Sequence, residues 1–173
     1  WIWTPTNFPN LSMFYHVNHD EHGVPWNTRA VIVPDGVAQG EGIHLSDAQM
    51  NVTYAPGTRR MASAYLDMTD PAGRAHKVTF EPIGTFLMKG IGYGHDKYRH
   101  GAFRGDQLAI AREDFEPSKM PWQVPENLHI QEIVRAKHEG PDGLGSEGIG
   151  TFEQLFMGLH APSGFKEILD GAK

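Results

Sequence analysis

The sequence predicts an all-β domain of about nine mostly antiparallel strands, closed into a barrel or folded as a sandwich, with little helix. Three observations carry this expectation. Twenty glycines and twelve prolines cut the 173 residues into short pieces. Those pieces alternate apolar with polar side chains, or are rich in β-branched residues, as half-buried strands are. No window of a dozen residues keeps a 3.6-residue apolar period, and the near-regular spacing of the pieces suits a barrel or sandwich.

The strands follow in order. Residues 11–19 alternate Leu11, Met13, Tyr15 and Val17 against Ser12, Phe14, His16 and Asn18. Residues 27–33 are rich in β-branched side chains and end at the turn signal Pro34-Asp35-Gly36. Residues 43–54 and 59–69 flank Ala55-Pro56-Gly57, and Asp70-Pro71-Ala72-Gly73 makes the next turn. Further strands are expected at 76–81, 85–93, 107–113, 128–138 and 148–159, with a hairpin loop over 139–143. Residues 117–125 are too proline-rich for a strand and read as a loop packed over one end. The short tail 164–169 is the best helical candidate. Nothing marks a second domain, so residues 1–173 form one domain of a size that buries a core without staples.

Composition excludes several functions. The net charge of −6 and pI near 5.9 argue against a nucleic-acid partner, and Arg59-Arg60 is the only adjacent basic pair. The absence of cysteine removes disulfides, thiolate metal sites and a cysteine nucleophile. No apolar run approaches the ~20 residues that span a bilayer, and no signal-peptide pattern opens the chain. Cytoplasm is the default location. A chain that begins with Trp1 is expected to be a fragment, a processed product or part of something longer.

Function is sought first in residues 90–105, where five glycines alternate with Tyr93, His95, Asp96, Tyr98, His100 and basic residues. Glycine at that density packs poorly and suits a backbone that bulges or approaches a ligand. Gly90, Gly92 and Gly94 would strip one strand face, leaving Ile91, Tyr93 and His95 on the other. The last two strands carry a second signal. One face of 128–138 reads Leu128, Ile130, Glu132, Val134, Ala136, and one face of 148–159 reads Ile149, Thr151, Glu153, Leu155, Met157. A carboxylate on such a face must be paired, hydrogen-bonded or protonated, which makes it a candidate acid or base. The opposite face of 148–159 (Gly150, Phe152, Gln154, Phe156) is also apolar, and would leave Glu153 wet.

His95 and His100 could converge with His129 on a metal, as in a cupin-like enzyme, but no metal-binding signature is present and no metal is expected. His16, His19 and His22 form another group in which His19 should face away from the other two. One of Arg59 and Arg60 could reach a carboxylate across the sheet, although a solvated edge is the ordinary fate of such a residue. Trp26, at a strand start, either stacks on a ligand or packs in the core. In the catalytic reading His95 or Glu153 protonates an alkene or carbonyl, while Tyr93 and Gln154 position it. Tyr93, His95 and His100 would then share one pocket with Glu153 and Gln154.

The runs GIGYGHDKYRHGAF (90–103), LHIQEIVRA (128–136) and GIGTFEQLFMGLHAPSGF (148–165) resemble the C-terminal half of a bacterial two-barrel, lipocalin-like family. That family is related to AttH-like proteins and to carotenoid hydratases of the hydroxyneurosporene synthase type. HDEHGVPWNTRAVIVPDG (19–36) and YAPGTRRMASAYL (54–66) fit the same half. Tyr98 stands where the family carries Trp, and Arg99 where it often carries Gly, two departures that bear on the pocket's shape. The resemblance implies a calycin-type barrel that takes a small hydrophobic molecule such as an isoprenoid, polyketide, steroid or aromatic. It further implies cofactor-free hydration, isomerisation or cyclisation, and a second barrel domain or a homodimer as partner. Beside Tyr98, ligand contacts would fall to His100, His129, Trp26, Glu132 and Gln154. The alternatives are a non-catalytic lipocalin-like binding module and a His-ligated cupin-like metalloenzyme.

Overall fold

A computed structural model describes residues 1–38, 40–87, 97, 99 and 101–173. Among these residues nine strands form one sheet: β1 (Ile2–Phe8), β2 (Leu11–His19), β3 (Pro25–Pro34), β4 (Ile43–His44), β5 (Ser46–Tyr54), β6 (Met61–Thr69), β7 (Ala75–Leu87), β8 (His129–Glu139) and β9 (Gly145–Leu155). Their order is β4-β3-β2-β1-β9-β8-β7-β6-β5, all neighbours antiparallel, and the sheet curls into a nearly closed lipocalin-like barrel. The only helical pieces among the described residues are three 3-10 turns of three residues each.

Sequence alternation placed most strands, with four differences. β1 escaped notice because Pro5 interrupts it; Pro5 pairs with Phe14 of β2 and falls in the gap of the β1–β9 register, where its missing N–H leaves the ladder interrupted. Residues 43–54 split at Leu45, beside Asp47 with φ 50°, into β4 and β5. Residues 76–81 and 85–87 merge into β7 through a bulge between Pro82 and Gly84, and the rest of the strand expected to end at Tyr93 lies outside the described residues. Residues 107–113 alternate but form no strand with any described residue, leaving Leu108 and Ile110 more than four-fifths exposed. The tail 164–169 is not helical, since Gly164 takes the left-handed conformation that ends the last 3-10 turn.

The core lies inside the barrel. Ile2, Tyr15, Val17, Leu66, Val78, Phe80, Val134 and Phe152 are among its most buried members, each from an inward position of its strand. β9 reaches this core on the face Gly148, Gly150, Phe152, Gln154, because β1 crosses it closely there. A Cβ on Gly150 would lie 2.5 Å from the Pro5 carbonyl oxygen and 2.9 Å from Thr6 Cα.

Candidate functional site

The barrel is open at one seam. Among the described residues β4 pairs with Val31 and Ile32 of β3, leaving the start of β3 without a strand partner on that side, and β5 pairs with β6. Between those edges lies a cleft of about 820 Å³ whose inward lining includes Ile2, Tyr15, Met50, Val52, Tyr54, Ala64, Phe80 and Phe156. His19, His160 and Ser163 edge the same cleft. A smaller cavity of about 290 Å³, bordered also by Asp20 and Glu21, shares the wall of Ile2, His19, Phe156 and His160.

One end of the barrel is closed by the tail after β9, and Arg59 holds it there. The Arg59 side chain, 4 % exposed, donates to the carbonyls of Phe156 (3.2 Å), Gly158 (2.8 Å), Glu167 (2.9 Å) and Asp170 (2.6 Å) and to Asp170 Oδ1 (2.7 Å). Its guanidinium lies 4.2 Å from the centre of the Phe165 ring. Backbone amides of the Lys166 turn, then Arg59, hold the Asp170 carboxyl below its ordinary range.

The tail delivers His160 to the cleft. Its Nδ1 lies 2.7 Å from Ser163 Oγ, which lies 3.3 Å from the Tyr54 hydroxyl. The imidazole stacks on His19 (centroids 5.4 Å, 13° between planes) and meets Phe156 edge-on at 5.4 Å. Burial first, then the neighbouring His19, pushes His160 down to about 4, so it is neutral at pH 7. Burial pushes Tyr54 up to about 12 and raises Tyr15 as well. His160 Nε2 is buried with no hydrogen-bond partner among the described residues.

Residues 1–166 match the model of a family of unknown function, DUF8625. The chain belongs to that family. No curated protein and no solved structure matches the chain.

The residues singled out from sequence fare unequally. Glu132 does face the interior: it is fully buried, accepts from Thr85 Oγ1 (2.7 Å) and pairs with Arg60 Nη1 (3.4 Å), whose guanidinium lies 5.7 Å from the Trp122 ring. Burial raises its carboxyl above the ordinary range against those two partners. Neither arginine is the bare solvated edge expected: Arg60 meets Glu132, and Arg59 is buried in the tail. Gln154 is buried too, but its amide is engaged across the barrel: Oε1 accepts from Met61 N–H at 2.8 Å, and Nε2 donates to the Arg59 carbonyl. It ties β9 to the start of β6.

Glu153 faces out of the barrel, not into its interior, since its neighbours Phe152 and Gln154 take the inward positions. It accepts from Trp1 Nε1 (3.0 Å) and Gln131 Nε2 (2.7 Å) and lies 3.2 Å from His129 Nε2. The His129 contact, then Trp1, holds its carboxyl below the ordinary range, opposite to what a general acid needs. Glu153 and Gln154, on opposite faces of one strand, therefore cannot line one pocket. His129 belongs to the outer cluster with Glu153 and Trp1. Trp26 is 70 % exposed, so it is not a core residue, and it is absent from the cleft lining. Tyr93, His95, Tyr98 and His100 lie outside the described residues. Among the described residues no three of His, Asp and Glu gather as a metal ion requires, and no helix is long and apolar enough to cross a membrane.

Sequence reasoning missed Tyr54, His160 and Ser163. The signal was present in His160-Ala161-Pro162-Ser163-Gly164, a turn sequence with a histidine at its entry, but its partner Tyr54 is 109 residues from Ser163.

Proposed function

We propose that the protein binds a small, largely apolar molecule in the barrel cleft. The observation that carries this reading is a cleft of about 820 Å³, within the ~300–1,000 Å³ of small-molecule sites, whose inward wall of Ile2, Tyr15, Met50, Val52, Phe80 and Phe156 is largely apolar while Gln49, Asn51, Thr53, Ser63 and Thr79 border it from the outer faces of the strands. The test is a titration with the neutral fluorophore N-phenyl-1-naphthylamine, followed by Ala48→Trp, which fills the cleft from β5. Saturable one-to-one binding that the variant abolishes while its circular dichroism is unchanged supports the reading. Unsaturable binding, or equal binding by the variant, sinks it.

A second reading adds cofactor-free acid–base chemistry such as hydration, isomerisation or cyclisation. It is favoured by the chain from Tyr54 through Ser163 to His160, which aligns a phenol, a hydroxyl and a neutral imidazole at the edge of the cleft. Turnover separates the two: a binding module shows affinity without product at any pH. Kinship with the two-barrel lipocalin-like group belongs to this proposal and supplies its isoprenoid, polyketide, steroid and aromatic candidates.

A further inference from the structure

Away from the cleft, we infer that His76 and His138 form a one-proton switch: the two rings hold one added proton beside Asp70, and a second, taken up in acid, separates them and loosens this end of the barrel. The two rings share an inward face. His138 stands opposite Val78 in the β7–β8 register and His76 lies two residues before Val78, a diagonal within reach of long side chains. The rings are parallel within 5°, with His76 Nδ1 3.0 Å from His138 Nε2. Both are nearly shut off from water, His138 at 7 % exposed and the His76 side chain at 11 %. Across such a contact one nitrogen donates and the other must be bare to accept, so there is room for one hydrogen between them.

Asp70 supplies the counter-charge for the first proton. Its Oδ2 lies 3.6 Å from His76 Nε2, a nitrogen buried with no hydrogen-bond partner among the described residues. The carboxylate accepts from the backbone N–H groups of Arg74 and Ala72 (2.9 Å each) and from Arg74 Nε (2.7 Å). Those bonds, the Arg74 amide first, hold it at about 2, so it stays ionised wherever histidines titrate. With one added proton, three of the four ring nitrogens carry hydrogens and His138 Nε2 accepts in the contact. A second proton sets two N–H groups face to face at 3.0 Å. Nothing nearby relieves that state. Phe8 packs on His138 at 5.6 Å between ring centres, and Met68 of β6 stands opposite His76. Among the charged groups at this end, Arg74 is bound to Asp70, Lys77 to Asp67 and Lys137 to Glu139. Burial, then His76, lowers His138, and Asp142 in the β8–β9 turn acts against them. The rings can part only where the start of β7 leaves the end of β8, beside the turns 70–74 and 140–144.

The experiment follows the ring nitrogens of the wild-type chain by NMR from pH 8 to 3.5, with amide hydrogen exchange measured at each pH. His76 and His138 should titrate in two steps more than about one pH unit apart, the mark of coupled groups. Amides of residues 74–77 and 137–140 should exchange about tenfold faster across the second step, relative to those of β2. His138→Gln keeps an acceptor beside His76 but takes up no proton, so it should leave one step and abolish the faster exchange. Asp70→Asn keeps an oxygen for the two turn amides and should move the first step to lower pH. Independent curves for the two rings, no second step by pH 3.5, or exchange unchanged across it overturns the inference. So does a first step that Asp70→Asn leaves in place. The wild-type titration decides the matter even where a variant fails to fold.

Discussion

Gln154→Met removes both hydrogen bonds of the cross-barrel amide while keeping a side chain of similar length and volume. The wild-type residue is 1 % exposed, accepts from Met61 N–H at 2.8 Å and donates to the Arg59 carbonyl. The variant leaves an N–H and a C=O buried and unpaired, each costing about 1–3 kcal/mol. A loss of about 3 kcal/mol is expected, which for a chain of 173 residues lowers Tm by roughly 6–12 °C. Urea unfolding followed by tryptophan fluorescence, with a thermal scan, measures both. Gln154→Glu provides a second arm. An ionised carboxylate still accepts from Met61 but cannot donate to Arg59, so its deficit should be largest at neutral pH and shrink as acid protonates it. A Gln154→Met loss under about 1 kcal/mol would refute the tie. So would unchanged stability with weakened probe binding, since that result would make Gln154 a ligand contact.

Three other outcomes are expected. Arg59→Lys replaces a guanidinium that donates to five tail acceptors with an ammonium that has three hydrogens. Limited proteolysis should then cut after Phe156 much faster than in the wild type, and equal resistance would mean the arginine does not hold the tail. For His160, a folded-state value near 4 lies below the ordinary 6.5, so its contribution is present above pH 6.5 and lost as pH falls towards 4. About 2 kcal/mol should go between pH 7 and 4.5, and His138, also lowered by burial and by His76, adds in the same direction. Glu132, raised by burial, acts oppositely, gaining stability as pH falls towards its ordinary value. Urea titrations should show a shallower acid loss in His160→Phe than in the wild type; identical slopes would contradict the assignment. Gly150→Ala should cost about 1–3 kcal/mol because its Cβ meets backbone atoms of β1, whereas Gly145→Ala meets the flexible end of Lys137 at 3.1 Å and should cost less. Equal costs would argue against the close β1–β9 crossing.

Much of the barrel is legible in the chain because a strand's period of two is a local property. Tyr15 and Val17 alternate with His16 and Asn18, and Glu132 sits on the one apolar face of its strand, so its inward placement could be read without coordinates. Periodicity names two faces, however, and does not say which is inside. In 148–159 both faces are apolar. The choice of Phe152 and Gln154 over Glu153 was made by β1, whose residues 2–7 pair with β9 from about 150 positions away. The candidate site depended on the same long-range geometry. Tyr54 and His160 carry no shared motif, and they approach only because Arg59 folds the tail across the barrel end. Local residue types determined that this chain makes strands and turns. Which polar atoms were left inside without partners depended on contacts between segments that sequence order keeps far apart.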